Sequence, residues 1–572
     1  MCRSRLLLLQ LRATHPSLIR VLTLLFLFVA LSRAEEPATV TIQVNAAHKE
    51  GSLPAVWDFF GYDEPNYTYA TNGKKLLSEI AALSPTPAYI RVHNLLTSGN
   101  GSASLKWGST NAYTEDAHGN PVYNWTIIDH IFDTFHQTSV KPLVEIGFMP
   151  EALSIHPEPY RHNFPNGSIY TGWAYPPKDY KKWAELVYQF VRHLRERYGD
   201  GEVKTWLWEV WNEPDIDYWK GTPEEYFELY DYSADAILRA LPDATIGGPD
   251  STGPSRPKTA QFLTAFLQHC DSGKNYATGK IGAPLKFISF HPKGSPTWQG
   301  DHVQMGIAAQ LKAIAEGFKI VASSRRWHDT PVILGESDPE GCAACSEEKN
   351  PQNGYRNGPL YASYTAEALD RTIELAQREH AKLKAVVTWA FEFEGQPYFA
   401  GFRELATNGL DKPVLNGFRM RGLLGPERVE ASSSAALATN DVLTGGVRQR
   451  PDINVIASRS DRELEILAWN YHDDDLPAVS ALIELTITGL PSETNHGLLE
   501  HFRIDSNHSN SFALWKKMGS PQSPTPEQYK ELEAAGQLQL LNSPRWIDVQ
   551  RGTANLKFQL PRQGLSLLKV SW

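Results

Sequence analysis

The chain has 572 residues, 41% of them hydrophobic, which exceeds one ordinary domain and supports two or three. Its 55 basic and 65 acidic residues give a net charge of −10, which argues against nucleic acid and anionic membranes as partners. Aromatic residues make up 11%, with 16 tryptophans, a supply that suits both a large core and the flat faces of sugars.

The first predicted element is a leader. Arg3, Arg5, Arg12 and Arg20 supply a positive region, and Val21–Leu31 is an apolar run broken only by Thr23. Ser32-Arg33-Ala34 places small residues at −3 and −1, so a secretory signal cleaved after Ala34 is expected. The apolar run is short for a membrane span. Loss of residues 1–34 removes five arginines and no acid, leaving 50 basic against 65 acidic residues, a net −15. The mature protein is therefore expected to be secreted or periplasmic and free of the membrane. An anionic substrate would need a local basic pocket.

Residues 35–50 contain the strand-like stretch Ala38–Val44, which is expected to join a C-terminal sheet. Residues 51–425 alternate short apolar strands with longer helical stretches. The strand candidates are Trp57–Gly61, Tyr89–Val92, Lys141–Ile146, Trp206–Val210, Thr245–Gly248, Lys286–Phe290, Val332–Leu334 and Ala385–Trp389. Between them lie amphipathic helices such as Tyr180–Tyr198, with Trp183, Leu186, Val187, Phe190, Val191 and Leu194 on one face. Pro223-Glu224-Glu225 opens another helix. Eight alternations, with no glycine-rich dinucleotide turn after the first strand, predict an α/β (β/α)8 TIM barrel ahead of an open doubly wound sheet.

Residues 426–572 read differently. Ile453–Ala457, Leu464–Asn470, Leu482–Thr488, Phe502–Asp505, Leu556–Leu560 and Leu565–Val570 are short strands split by turns, the pattern of an antiparallel β-sandwich. Lys516–Gln537 interrupts them with a Pro/Ser-rich loop and a short helix. The sandwich offers a surface for an oligomer. Outside the leader, Cys270, Cys342 and Cys345 are too few for a disulfide framework. Cys342-Ala-Ala-Cys345 can be a metal or redox pair, but no second such pair or nearby histidine completes a zinc site, and a small disulfide bracing a loop is preferred. Asn66, Asn100, Asn124, Asn166 and Asn507 head N-x-Ser/Thr sequons.

Two carboxylates stand out. Glu213 ends the run Trp206-Leu-Trp-Glu-Val-Trp-Asn-Glu-Pro214, and Glu336 ends Pro331-Val-Ile-Leu-Gly-Glu-Ser337. An acid just past a parallel strand sits at the barrel mouth, where such barrels do their chemistry. Strands four and seven face each other across that mouth. Two opposed carboxyl groups, one protonated and one ionised, are what retaining cleavage of a glycosidic bond requires. Asn212 can hold the hydroxyl beside the reacting carbon, a bond that strengthens in the transition state.

These residues resemble the large clan of retaining (β/α)8 glycosidases. Glu209-Val-Trp-Asn-Glu-Pro-Asp215, Ile288-Ser-Phe-His-Pro292, Leu334-Gly-Glu-Ser-Asp-Pro339, Asp411-Lys-Pro-Val-Leu-Asn416 and Leu560-Pro-Arg-Gln-Gly564 resemble glycoside hydrolase family 39, with its β-xylosidases and α-L-iduronidases. The resemblance implies Glu213 as general acid/base and Glu336 as nucleophile, with no metal or organic cofactor. It implies Arg91 beside the nucleophile and His93 and His291 in contact with substrate. Trp389 is expected to stack on the sugar, and Glu392 and Glu394 to bind its hydroxyls. After His291-Pro292 the xylosidase branch commonly shows an aromatic residue, whereas this chain has Lys293-Gly294, which looks more like the iduronidase branch. Lys293 thus either meets a substrate carboxylate or balances charge, and Arg403 is a candidate second basic ligand. The loop 338–355 is expected to wall the pocket and favour removal of a terminal sugar from an oligosaccharide or polysaccharide. The expected activity is that of a β-xylosidase, with a uronic-acid glycosidase as the alternative and a carbohydrate-binding dead barrel as a third. Water and an acceptor sugar are equally allowed as the final nucleophile.

Overall fold

The protein is described here by a computed structural model covering residues 38–159, 161–162, 169–170 and 172–572. The predicted leader and the Asn166 sequon lie outside the described residues. Eight parallel strands close into a barrel: Phe59–Tyr62, Tyr89–Val92, Lys141–Ile146, Leu207–Val210, Thr245–Thr252, Phe287–His291, Val332–Leu334 and Leu383–Thr388. All eight fall where the apolar runs predict them. The fifth runs four residues further than expected. The eighth stops one residue before Trp389, which leaves that side chain in the loop beyond.

The helices follow from local sequence. Asp179 caps Tyr180–Tyr198 by accepting from the backbone N–H groups of Lys181 and Lys182. Thr222 and Glu225 form a capping box at the start of Pro223–Ala240, with proline at the first position. In each helix the buried residues fall on one face, against the barrel strands and neighbouring helices.

The C-terminal part is built on one ten-stranded sheet that is antiparallel except for a single ladder. Thr39–Ser52 joins it, as its alternation predicts, pairing antiparallel with Glu427–Ser433 but parallel with Ala481–Thr488. The remaining ladders are antiparallel, and the sheet keeps its own apolar cluster around Val40, Ile42, Ile483 and Ile487. Two helices stand between the strands, Ser511–Lys517 and Pro526–Gly536; the second is the one expected within Lys516–Gln537, and the first starts ahead of that interruption. Asn416 Nδ2, on the helix Pro413–Gly422, donates to the Gly536 carbonyl at 2.7 Å and ties the second helix to the barrel.

Barrel and sheet belong to one compact unit. A buried ion cluster joins them: Arg371, on the helix Pro359–Arg378, binds Glu367 at 2.7 Å, Glu374 at 2.8 Å and Asp452 of the sheet. Trp469 Nε1 completes it by donating to Glu367 at 2.7 Å. Of the sequons, Asn66 is buried and its amide bonds the Ser109 backbone in both directions, so it does not present a glycan site. Asn100, Asn124 and Asn507 are exposed.

Removing the Arg371 guanidinium leaves two buried carboxylates without their cation. Arg371→Ala is expected to cost about 3–5 kcal/mol. A denaturation midpoint followed by tryptophan fluorescence checks this, and an unmoved midpoint would show that the cluster does not hold the two parts together.

Candidate active site

The loops after the fourth and seventh strands build the mouth. Beyond Val210 the backbone turns sharply, with Trp211 at φ 74° and Glu213 at φ 45°, a region that non-glycine residues rarely adopt. Backbone bonds hold the turn: Trp211 N–H donates to Ile146 O at 3.0 Å and Glu213 N–H to Asp250 O at 2.9 Å. The Trp211 indole donates to Tyr218 O at 2.9 Å. On the other side Gly335 carries the chain past Asp250 and His291; a Cβ there would lie 2.3 Å from the Asp250 carboxylate. Only glycine lets Glu336 reach the mouth at this point.

One oxygen of Glu213, one oxygen of Glu336 and a nitrogen of His291 all lie within 4.8 Å of one another. That spacing fits the roughly 5–5.5 Å of a retaining pair and is too short for the roughly 6.5–9.5 Å of an inverting pair. His291 Nδ1 is 3.1 Å from Glu213, and Nε2 is 3.1 Å from Asp250. Burial disfavours charge on His291, but the facing carboxylates outweigh it and raise the pKa of the ring.

Glu336 is 5% exposed and ringed by cations. Arg91 donates to it at 3.2 Å, Lys293 at 2.8 Å, and His93 Nε2 lies 3.3 Å away. Burial alone would raise its pKa; Lys293, His291 and His93 reverse this and hold it well below the ordinary carboxylate range. It is thus poised as the ionised member of the pair. The trio Glu213, His291 and Glu336 also has the spacing of a metal site.

Beneath this lies a charged layer in which Arg91 and His93 meet Glu145, Glu209, Asp250 and Asp63, acids to which the sequence assigns no role. Arg91, fully buried, binds Glu209, reaches Glu145 at 3.0 Å and Asp250 at 3.9 Å, and donates to Asn212 Oδ1 at 3.2 Å. Burial raises the pKa of both Glu145 and Glu209. His93 Nδ1 contacts Asp63 at 2.7 Å, and Lys106 donates to the same carboxylate at 2.8 Å. Burial opposes charge on His93, yet Glu145 and Asp63 push its pKa up to about 9. Lys293 also binds Asp338 at 2.9 Å. The signal for Glu145 and Glu209 was available: a charge inside a strand buried on both faces needs a buried partner.

The structure brings Glu213, Glu336, Asn212, Arg91, His93, His291 and Lys293 together. Four other expectations need correction. Trp389 is 1% exposed, its ring packed against His93 at 4.4 Å and under Arg91 at 4.9 Å, so it supports the polar floor and presents no open face to a sugar. Gly61 makes room for that ring, since a Cβ there would lie 2.3 Å from it. Glu392 is buried away from the pair, accepting from the Gly409 N–H. Glu394 accepts from Asn72 N–H at 3.0 Å at the start of the helix Thr71–Ala81, where its charge suits the helix dipole. Arg403 is likewise committed, to Glu340 at 2.6 Å, Asp338 at 3.6 Å and the Trp389 carbonyl at 2.8 Å.

The loop after Glu336 is braced as expected. Cys342 and Cys345 form a disulfide, while Cys270 is buried and unpaired. Buried Arg356 fans out to the carbonyls of Cys342, Ala343, Cys345 and Gly401 at 2.7–3.3 Å, so the loop folds around a cation.

A parallel eight-stranded barrel with a close carboxylate pair across its mouth, one member held ionised, defines a retaining glycosidase. The chain belongs to Glycosyl hydrolases family 39, whose pattern matches residues 41–546. A beta-xylosidase of Caldicellulosiruptor saccharolyticus is 28% identical over 431 residues, spanning 72% of this chain and 76% of that one. The alpha-L-iduronidase of Mus musculus is 24% identical over 579 residues, spanning 95% and 82%. A monomeric beta-xylosidase from Caulobacter crescentus CB15 shares the fold with a TM-score of 0.72 at 21% identity, covering 93% of this chain and 99% of that one.

Two predictions follow from this geometry. Glu213→Ala is expected to lower kcat by about 10²–10⁴ on a glycoside with a poor leaving group, and far less with an activated aryl leaving group that needs no proton; equal losses on both would remove Glu213 from the acid role. Glu392 has its pKa pushed up to about 8, chiefly by burial. The protonated form is thus favoured by folding, a contribution present below the unfolded value near 4.5 and lost as pH rises through about 8. Thermal melts from pH 5 to pH 9 should show the wild type losing stability relative to Glu392→Gln over this window, with kcat and KM of the variant unchanged at pH 6.

Proposed function

We propose that the protein is an exported exo-acting β-xylosidase that releases terminal β-xylosyl units from xylo-oligosaccharides. The observation that carries the sugar assignment is the state of Lys293. Its ammonium binds Glu336 at 2.8 Å and Asp338 at 2.9 Å, so its charge is spent on the nucleophile and its neighbour. A neutral sugar asks for no further cation. Beta-xylosidases among the relatives support the same assignment. Export is supported by the leader-like residues 1–34 and by the Cys342–Cys345 disulfide, which an oxidising compartment preserves. The exo assignment rests on the loop 338–355, which follows Glu336 in the chain and is held by Arg356 and the Cys342–Cys345 disulfide.

The chemistry follows the family's retaining route. Glu336 attacks the anomeric carbon while Glu213 gives its proton to the leaving oxygen; Glu213 then takes a proton from the incoming water, which displaces Glu336. The sugar's 2-hydroxyl falls to Asn212, whose Oδ1 is fixed by Arg91 and whose amide nitrogen is free of that bond. The second reading is a uronic-acid glycosidase. It rests on the 17% exposure of the Lys293 side chain, the most open of the cations binding Glu336, and on the iduronidase relatives.

Matched chromogenic β-D-xyloside and α-L-iduronide decide between the two. Turnover of the xyloside with none of the iduronide is expected from the full chain after leader removal. Turnover of the iduronide alone would make Lys293 a clamp for the substrate carboxylate and overturn the xyloside assignment.

A further inference from the structure

Lys106 is a lysine that the fold buries with care. It is 6% exposed and lies in the loop after the second barrel strand, at φ 61°. Its backbone N–H donates to Glu64 at 2.6 Å, and its ammonium donates to Asp63 at 2.8 Å. Glu64 and Asp63 both follow the first barrel strand directly. Burying an ammonium costs several kcal/mol on the order of magnitude, so a site that holds one in a strained backbone calls for a use. A loop strut could be built from neutral groups at lower cost.

The contacts lead to the reaction centre. Asp63 Oδ2 holds Lys106, and Asp63 Oδ1 lies 2.7 Å from His93 Nδ1. The other nitrogen of that ring lies 3.3 Å from Glu336. Asp63 is 3% exposed, so little water screens this line. We propose that Lys106 is a positioning residue for catalysis, acting through Asp63 and His93 to keep the nucleophile Glu336 ionised. The ammonium holds Asp63 as a carboxylate; the carboxylate, 2.7 Å from Nδ1, favours the charged ring; that ring's Nε2 stands 3.3 Å from Glu336 and 2.9 Å from Arg91 Nη1. Burial opposes ionisation of Asp63, and Lys106 and His93 outweigh it, so its pKa is lowered. The role goes beyond the hydrolase assignment and rests only on Glu336 as nucleophile.

The groups that face Glu336 set the size of the effect. Arg91, His93 and Lys293 contact it, His291 stands at 3.7 Å, and Glu213 opposes it across the mouth. Asp338 shares Lys293, and Glu145 shares His93 and Arg91. Lys106 is therefore one cation among several and acts at second hand.

The test is the pH profile of kcat/KM, on any aryl glycoside that the wild type turns over, so a wrong sugar assignment leaves it intact. Lys106→Met should move the acidic limb upward by about half a unit to one unit, less than the roughly 1–3 units a cation in direct contact contributes. Lys106→Arg should restore the limb. The double variant Lys106→Met/Asp63→Asn also removes the carboxylate that favours the charged ring, so its limb should be displaced at least as far as that of Lys106→Met, even if Lys106→Met alone folds poorly. An acidic limb that stays in place in Lys106→Met while its melting temperature falls would make Lys106 a strut only and overturn the proposal. So would a double variant whose limb lies at the wild-type position.

Discussion

The guanidinium of Arg91, sealed in the barrel beneath the mouth, is the constraint on which the rest of the site depends. A lone charge in that position would be costly by about 20 kcal/mol in the idealised limit. The barrel answers it with carboxylates from the third, fourth, fifth and seventh strand ends, Glu145, Glu209, Asp250 and Glu336. These groups reach one centre only if the strands keep register. Arg91 lies opposite Leu143, and Glu145 opposite Glu209, so the third and fourth strands present their acids at one level. A slip of one residue would turn an inward acid outward. Fold and site are thus specified by the same ion cluster.

The barrel was legible because parallel strands covered on both faces read as continuous apolar runs between amphipathic helices. The direction of Thr39–Ser52 was not. Its alternation of buried and exposed residues fixes which face is inward, and that alternation is the same whether its neighbour runs parallel or antiparallel. Its parallel partner, Ala481–Thr488, is more than 400 positions away in sequence, and no turn between them sets the direction.

In the site, the residues that end a strand beside a recognisable motif could be placed: Glu213 with Asn212, Glu336, Arg91 with His93, and His291 with Lys293. Glu392 and Glu394 could not. An acid shortly after a strand looks the same in sequence whether it meets a ligand, the Gly409 N–H or the start of a helix. Trp389 illustrates the same gap. Its strand position was nearly right, but whether its ring faces sugar or packs under Arg91 depends on Gly61 of the neighbouring strand, in register with Arg91. Asp63 and Lys106 became visible only as a pair, because 43 positions separate them and neither belongs to a motif.

The two carboxylates across the mouth carry the same functional group and are told apart by their donors. Glu336 faces Arg91, His93 and Lys293 and receives charge-bearing N–H groups on both oxygens. Glu213 meets His291 on one oxygen and is more open, at 13% exposure. Donors stabilise the ionised form, so the crowded member is suited to attack. The turn that presents Glu213 adds a second asymmetry. Trp211, Glu213 and Asp250 all have positive φ, and each is pinned where the strands below carry the Arg91 cluster. Backbone strain of this kind persists only where surrounding structure over-determines it. The ion cluster supplies that determination, which couples the place of Glu213 to the charge on Glu336 through one buried arginine.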